Sequence, residues 1–419
     1  MPDSPFPSAR PPRSWFRRLL SFLLQAGVIA LITAVLVEAG FRVLERSINS
    51  KFYYDGQGGL WMDDARWGWK PTPGPFKMGT SEFEVTGDVN EMFMNGPAVD
   101  TAADAGKTRV MVLGDSHTFA TGVSSGQTWP SVLEQRLNQE GQGAFAVYNA
   151  ATTGYNLHQH LLRLMDQGPV LKPHYVVLGL SYATDLYDLL PPDHGGWIYG
   201  EDRARDYFDL DKEGALYERH WEKPKASATA GGAQTGASST APQVIRRFLE
   251  NFATFRYLRR SKFALAIGSR LRIGGQSLWP NMEIVVEKEV SEKNRYQWRL
   301  FEALLIGIQK ECQKQGAKLI ITGIPYLPQV YDNMWDSTFG GDSRFSRTAA
   351  IEKVSKFCGE HDIAYVDTLD ALQEHSKKLG RWLHYPVDAH PTPEGQQVIA
   401  DAVFESGLLI PSRQLQHSN

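Results

Sequence analysis

The sequence predicts an α/β fold, a five-stranded parallel sheet with helices on both faces, preceded by one apolar N-terminal helix. From residue 108 onwards, short apolar runs alternate with segments whose apolar residues recur at helical spacing. The first run, Val110–Leu113, stops abruptly at a Gly-Asp-Ser triplet, which is typical of the end of a buried parallel strand. Strands and helices that alternate in this way favour a parallel sheet covered by helices.

Each element is predicted from its own apolar spacing and from the turn residues that bound it. The predicted strands are Arg109–Leu113, Phe145–Asn149, Tyr175–Leu180, Lys318–Thr322 and Ile363–Val366, and the predicted helices are Trp129–Gln139, Asn156–Gln167, Val286–Gln315, Thr348–His361 and Glu394–Phe404.

The N-terminus predicts a cytoplasmic tail (residues 1–18) and a membrane anchor (residues 19–40). The tail is rich in Pro and Arg, and the run from Leu19 through Val37 is apolar except for three polar residues. Nineteen residues are about enough to cross a bilayer core. The arginines precede the run, so the positive-inside rule places the N-terminus in the cytoplasm and the rest of the chain outside, in the periplasm if the cell is Gram-negative. A cleaved signal peptide and a buried core helix are the alternatives, and the length of the run favours a retained anchor.

Residues 41–104 are predicted to be a linker and lead-in to an α/β domain that spans residues 105–410. Trp61, Trp67 and Trp69 lie in this lead-in. They suit stacking on sugar rings, but packing of the lead-in against the domain is the favoured interpretation.

An insert at about residues 190–290 interrupts the α/β pattern. Residues 225–242 are rich in Ala, Gly, Ser and Thr and predict a flexible surface loop. Residues 246–272 are basic and aliphatic with helical spacing. They predict either a lid over the functional site, which we favour, or a helix that contacts an anionic membrane.

Ser116 is the candidate nucleophile. It follows the first strand, at the edge where open α/β sheets carry their functional groups. The alternative role for Ser116 is that of a helix N-cap. Near the C-terminus, Asp388 and His390 are two residues apart. They supply the carboxylate and imidazole that a serine nucleophile needs as orienting group and base.

These motifs resemble those of the SGNH (GDSL-like) hydrolases, and especially envelope members with one N-terminal membrane helix. The resemblance covers roughly residues 105–195 and 290–405. The matching residues are Gly114-Asp115-Ser116, Gly122-Val123, Asn149, Gly154, Asp388-x-His390 and Gly395. The G-x-S-x-G nucleophile elbow of α/β-hydrolases is absent from the sequence, which disfavours that fold. The resemblance implies a three-layer α/β/α, flavodoxin-like fold.

The resemblance also implies an oxyanion site. In the family, backbone N–H groups equivalent to those of Ser116 and Gly154 hold the oxyanion, and an asparagine amide is the third donor. This chain has Thr184 at the asparagine position. Three explanations stay open: the Thr184 hydroxyl donates, Asn156 or another side chain has taken over, or the site is weak, specialised for transfer or inactive.

Further residues near these motifs are candidate pocket residues, namely Asp115, His117, Asn156 and Tyr326. Asp185 is interpreted as a cap of the segment that follows the third strand. His158 and His160 are two residues apart, so they do not face each other on a helix, and solvated positions at the rim are favoured over a metal site.

The combined prediction is a membrane-anchored serine esterase that acts on O-acyl esters, with acetyl favoured, of an envelope or exported glycan. Neither a metal nor an organic cofactor is required. The partners are a small ester or O-acylated glycan and the membrane, with no nucleic acid. Two alternatives remain: an O-acyltransferase that modifies an exported polysaccharide, and a catalytically silent envelope binding or scaffold protein. The cysteines, Cys312 and Cys358, are predicted to be buried free thiols, and a single disulfide is the alternative if the domain lies in an oxidising compartment.

Overall fold

A computed structural model describes residues 13–49, 53–56, 59–140, 144–191, 194, 203–222, 282–386 and 388–409. Residues 1–12 of the predicted tail, the predicted loop at 225–242 and the predicted basic helix at 246–272 lie outside the described residues. Residues 51–230 and 265–419 make up one compact unit, and the N-terminal helix belongs to a second.

Helix α1, Arg13–Asn49, contains the predicted apolar stretch. Residues Leu19–Gly40 have a mean hydropathy of 2.4 and are not buried by other parts of the chain. Their length and composition fit a membrane span, although an N-terminal signal sequence meets the same criteria.

The predicted five-stranded parallel sheet is confirmed. Its strands in chain order are β6 (Thr108–Gly114), β7 (Phe145–Asn149), β8 (Tyr175–Ser181), β11 (Lys318–Ile324) and β12 (Ala364–Asp367). They lie in the order β7-β6-β8-β11-β12, and all pairs are parallel. In chain order this is 2-1-3-4-5, the flavodoxin-like arrangement, in which the strand order reverses beside the first strand. Strand β8 is buried along its whole length, as a central strand covered on both faces requires.

The helices that follow these strands pack in pairs. Their bounds are α2 Ser116–Phe119, α3 Trp129–Glu140, α4 Leu157–Leu171, α5 Glu283–Val286, α6 Glu292–Lys314, α7 Leu327–Val330, α8 Asp332–Thr338, α9 Ala349–Glu360, α10 Leu369–Leu379 and α11 Pro393–Glu405. Helix α3 packs on α11, and α4 packs on α6. The helix predicted over Val286–Gln315 corresponds to α6 and begins only at Glu292, because the residues between α5 and α6 are extended. Helices α5, α7, α8 and α10 were not predicted.

The lead-in is folded, which the sequence did not predict. Strands β1 (Tyr53–Gly56), β4 (Gly74–Gly79) and β5 (Glu84–Val89) form an antiparallel sheet, and β2 (Trp61–Asp64) pairs with β3 (Gly68–Pro71). Trp67 and Trp69 are buried in the same hydrophobic cluster as the central sheet. Their indole N–H groups donate to Asp166 and to the Thr153 carbonyl oxygen, so these two tryptophans pack the lead-in against the domain.

The described part of the insert begins with an antiparallel hairpin of β9 (Arg205–Leu210) and β10 (Leu216–Trp221). Arg66 of the lead-in joins this hairpin to helix α4, because its guanidinium pairs with Asp166, Asp206 and Glu218. Lead-in, hairpin and α4 are therefore one packed layer. Cys312 and Cys358 are buried free thiols, as predicted.

Candidate active site

Ser116 lies where β6 ends and α2 begins. Gly114 is the last residue of the strand, and a Cβ there would lie 3.0 Å from the Gly179 carbonyl oxygen of β8, so the close approach of the two strands requires glycine. Asp115 caps α2 by accepting a hydrogen bond from the His117 N–H at 2.9 Å. The structure therefore assigns the cap to Asp115, and Ser116 is the first helical residue, 9% exposed. Since α2 is a single turn, individual N–H groups matter here more than a helix dipole.

Asp388 and His390 form a hydrogen-bonded pair on a tight loop. The Asp388 Oδ1 and His390 Nδ1 atoms are 2.5 Å apart, so Nδ1 carries the proton and Nε2 is left as a base. The loop is closed by the Tyr385 N–H, which donates to the His390 carbonyl oxygen, and by a positive φ of 74° at Ala389. Both side chains are about one-fifth exposed, at 21% for Asp388 and 19% for His390.

Residues from opposite ends of the α/β region meet at this place. The His117 and His390 rings have centroids 5.1 Å apart, so the imidazole base lies beside the residue that follows Ser116. Gln396 on α11 fixes this approach, because its amide donates to the His117 carbonyl oxygen and accepts from the Trp129 N–H. Among the described residues, the Ser116 hydroxyl has no hydrogen-bond partner. Catalytic hydrogen bonds often close only when substrate binds.

Gly154 lies in the loop after β7, with φ of +79°. That loop is tied to the nucleophile strand because the Thr152 N–H donates to the Gly114 carbonyl oxygen at 3.0 Å. The Thr121 and Thr153 hydroxyls, 3.2 Å apart, form a second link. Neither the Ser116 N–H nor the Gly154 N–H bonds to another described residue. Two backbone donors are thus available near the nucleophile.

The Thr184 side chain lies beside the Asp115 carboxylate. Burial alone would raise the pKa of Asp115, but the charge of His117 and the hydrogen-bonding groups of His117 and Thr184 lower it below its ordinary value. The role of Thr184 as an oxyanion donor stays a prediction.

Asn156 is enclosed at the start of α4. It is 1% exposed, its side-chain oxygen caps α4, and one of its amide N–H groups donates to the Asp188 carbonyl oxygen at 2.6 Å. Asn156 therefore does not line an open pocket in this structure.

His158 and His160 are buried, so the prediction of solvated rim positions is wrong. The His158 Nδ1 accepts from the Phe208 N–H and its Nε2 faces the Leu189 carbonyl oxygen. The His160 Nε2 lies 3.0 Å from Asp185 Oδ1. His158 is covered by hairpin β9–β10 and His160 by the turn after β8, and the sequence pattern predicted neither contact.

Asp185 lies inside the segment that it was predicted to cap. It lies within the turn Tyr182–Leu186 and accepts from the Ser181 N–H at 2.9 Å as well as facing His160. Burial raises its pKa. It is therefore half of a second Asp–His pair, close enough to His117 to raise the pKa of that ring and close enough to Asp115 to have its own pKa raised.

Tyr326, the remaining pocket candidate, follows β11 at the same sheet edge and is 7% exposed. Sequence reasoning missed three residues near the site: Gln396, Glu82 and His384. The Glu82 carboxylate accepts from the Asp388 N–H at 2.7 Å, and the His384 Nδ1 accepts from the Tyr331 hydroxyl at 2.7 Å. The sequence carried no signal for the first two. His384 was seen only as part of the segment leading to Asp388.

No family model matches the chain, and no curated relative matches it. Several solved structures align with most of it at low similarity. TesA is 14% identical, with coverage of 72% of this chain and 99% of its own and a TM-score of 0.35. A putative G-D-S-L lipolytic protein from Desulfitobacterium hafniense is 12% identical, with coverage of 71% and 98% and a TM-score of 0.33. A catalytic mutant of Axe2, an acetylxylan esterase from Geobacillus stearothermophilus, is 13% identical, with coverage of 73% and 97% and a TM-score of 0.36. Similarity of this degree does not by itself establish a family or an activity for this chain.

Proposed function

We propose that this protein is a serine ester hydrolase of the SGNH type, in which Ser116, His390 and Asp388 carry out the reaction. One observation carries the proposal. Residues from opposite ends of the α/β region, about 270 positions apart, converge at the C-terminal edge of strand β6, with His117 and His390 rings in contact. That edge, next to the reversal of strand order, is where such sheets bind their ligands.

The proposed reaction follows from the hydrogen bonds. His390 Nε2 takes the Ser116 hydroxyl proton as the serine oxygen bonds to the ester carbonyl carbon, and Asp388 stabilises the resulting imidazolium through Nδ1–H. The carbonyl oxygen gains the negative charge, which the Ser116 and Gly154 N–H groups stabilise. Collapse expels the alcohol, protonated by His390, and water then releases the acyl group by the reverse sequence.

We further propose that the protein is anchored by residues 19–40 with its catalytic domain outside the cytoplasmic membrane, and that its substrate is an O-acyl ester of an envelope or exported glycan, with acetyl as the acyl group. The apolar stretch of α1 supports the anchor, and the preceding arginines support the orientation. The small acyl group and the glycan rest on the resemblance of the motifs.

The test uses the full-length protein in detergent, as wild type and Ser116→Ala. Each is incubated with 4-nitrophenyl acetate and, separately, with a fluorophosphonate label. We expect turnover and labelling in the wild type and neither in the variant, because the attacking oxygen is removed. Wild type that is as inert as Ser116→Ala in both assays contradicts the proposal.

Two further arms define the reaction class. Acetylated xylo-oligosaccharide tests for release of acetate from a glycan. Adding unacetylated oligosaccharide tests for transfer, which would appear as acylated acceptor with little net acetate. Transfer would preserve the roles of Ser116, His390 and Asp388 and replace water by a sugar hydroxyl as acceptor.

A further inference from the structure

The nucleophile is followed by a second imidazole that the reaction above does not use. His117 Nδ1 lies 3.2 Å from Asp115 Oδ2, and the His117 side chain is 13% exposed while Asp115 is fully buried. The other ring nitrogen, Nε2, has no hydrogen-bond partner among the described residues. The ring is therefore held at one nitrogen and open to the site at the other.

The contacts of Asp115 show which residues lie near the His117 ring. The same carboxylate accepts from the His117 N–H and lies beside the His117 ring and the Thr184 side chain. His117 is thus next to Thr184, in the turn that follows strand β8. Asn156 is enclosed, with its oxygen on the α4 cap and one amide N–H on the Asp188 carbonyl oxygen. The open Nε2 of His117 is therefore a further candidate for the side-chain donor to the oxyanion.

We propose that His117, in its charged form, is the side-chain donor to the oxyanion. When Ser116 attacks, charge develops on the carbonyl oxygen, and the His117 Nε2–H donates to that oxygen beside the two backbone N–H groups while Asp115 holds Nδ1–H. No proton leaves His117 during the step, because His390 takes the serine proton. The inference rests on the proposed esterase function and assigns the residue that completes its site.

The charges around His117 agree with a protonated ring. Three carboxylates, Asp115, Asp185 and Asp388, act on it, and two imidazoles, His384 and His390, lie near it. Burial alone would lower the pKa of His117, but Asp115, followed by Asp185 and Asp388, raises it above its ordinary value. His384 is buried and its pKa is lowered to about 3, so it adds no positive charge at neutral pH.

The experiment measures kcat and KM for 4-nitrophenyl acetate against pH, with full-length wild type, His117→Ala and His117→Gln. In the wild type we expect kcat to fall at high pH as His117 loses its proton. In His117→Ala, kcat should fall by about 10²- to 10³-fold with KM little changed, as expected for loss of one oxyanion donor. In His117→Gln the loss should be about tenfold, because neutral donors form weaker hydrogen bonds, and the alkaline limb should disappear because glutamine does not titrate.

The control is His375→Gln, a surface histidine on α10 that is remote from these contacts, and it should leave the whole profile unchanged. Should His117→Ala fail to fold, as judged by thermal unfolding, the profile of His117→Gln decides. An alkaline limb that persists in His117→Gln, or a kcat in folded His117→Ala within threefold of wild type, overturns the assignment. If the wild type labels at Ser116 and turns over, that failure concerns His117 alone. If the wild type does neither, the proposed function fails and this inference falls with it.

Discussion

Asp388–His390 and Asp185–His160 are chemically the same pair in two different surroundings. The first is two residues apart in sequence, about one-fifth exposed, and closes a loop. The second joins α4 to the turn after β8 across 25 residues and is completely buried, at 1% and 0% exposure. A base in catalysis must reach a substrate, and only the first pair has an accessible nitrogen. The second is enclosed beneath the site, where a carboxylate and imidazole satisfy each other. The comparison shows that exposure, more than residue type, separates a reactive pair from a structural one.

Removing the exposed pair's imidazole should have the largest effect on activity. His390→Ala is expected to lower kcat for 4-nitrophenyl acetate by about 10⁴- to 10⁶-fold, since the group proposed to take the Ser116 proton is removed. Its free energy of unfolding should change by less than about 1 kcal/mol, because the residue is partly exposed. A variant with kcat within tenfold of wild type would show that His390 is not the base.

Removing the buried pair's imidazole should instead affect stability. His160→Ala leaves the Asp185 carboxylate enclosed without its partner and is expected to lower the free energy of unfolding in urea by about 3–5 kcal/mol. The surface variant His375→Ala is the control and should change it by less than about 0.5 kcal/mol. The double variant His160→Ala/Asp185→Asn separates the loss of the ion pair from the loss of side-chain packing. His160→Ala should lower the free energy of unfolding less in the Asp185→Asn background, because no unpaired charge is then left buried. A loss below about 1 kcal/mol for His160→Ala would mean that the pair is not structural.

A third histidine extends the comparison, because the ring of the buried His158 contacts backbone groups, the Leu189 carbonyl oxygen and the Phe208 N–H. Burial lowers its pKa from 6.5 to about 4. Between these values the unfolded chain binds a proton that the folded chain does not, so stability is complete above about pH 6.5 and falls as the pH is lowered towards 4. A shift of this size corresponds to about 3 kcal/mol. His158→Gln keeps a donor for the Leu189 carbonyl oxygen and an acceptor for the Phe208 N–H but does not titrate.

Urea unfolding at pH 7.5, 5.5 and 4.5 checks this expectation. His384, whose pKa is also lowered, to about 3, adds a loss of the same sign, so the quantity to compare is the difference between wild type and His158→Gln. That difference should change steadily in favour of the variant as the pH falls. A difference that is constant with pH would contradict the assignment to His158.

The two Asp–His pairs also show which contacts could be predicted from the sequence and which could not. Asp388 and His390 are two apart, so one loop presents both, and the pattern could be found by inspection. Asp185 and His160 are in contact only because the fold brings α4 next to the turn after β8. A contact of this kind cannot be predicted from the local spacing of residues. The apolar periodicity located all five strands of the central sheet within two residues at each end, because buried parallel strands are continuously apolar.

The lead-in and hairpin β9–β10 escaped prediction because their strands are four to six residues long and mix polar with apolar residues. Because these elements were not predicted, the surroundings of α4 were not predicted either. His158 and His160 were expected at solvated rim positions but are buried. Arg163 is also fully buried, and its guanidinium donates to the Phe93 carbonyl oxygen of the lead-in. A helix covered on several sides has no solvent face for periodicity to identify.

The smallest expected effect on kcat comes from Glu82, which contacts the loop of the exposed Asp388–His390 pair. Its substitution tests whether the lead-in helps to position that pair. Glu82, in the turn between β4 and β5, accepts from the Asp388 N–H, and the neighbouring Phe83 packs on Tyr385 with ring centroids 5.0 Å apart. The buried pair needs no such support because the core surrounds it, whereas the exposed pair lies on a loop and depends on contacts of this kind.

Glu82→Ala should therefore lower kcat by about tenfold, equivalent to about 1.4 kcal/mol in the barrier, because Asp388 and His390 lose part of their alignment with Ser116. Glu82→Gln keeps an oxygen acceptor and should stay within about threefold of wild type. Glu84→Ala, two residues along and paired with the exposed Lys77, is the matched control and should not change kcat. If Glu82→Ala and Glu84→Ala are both equal to wild type, the lead-in packs on the domain without positioning its chemistry. If Glu82→Ala alone lowers kcat and its thermal midpoint is unchanged, the lead-in helps to position the loop that carries Asp388 and His390.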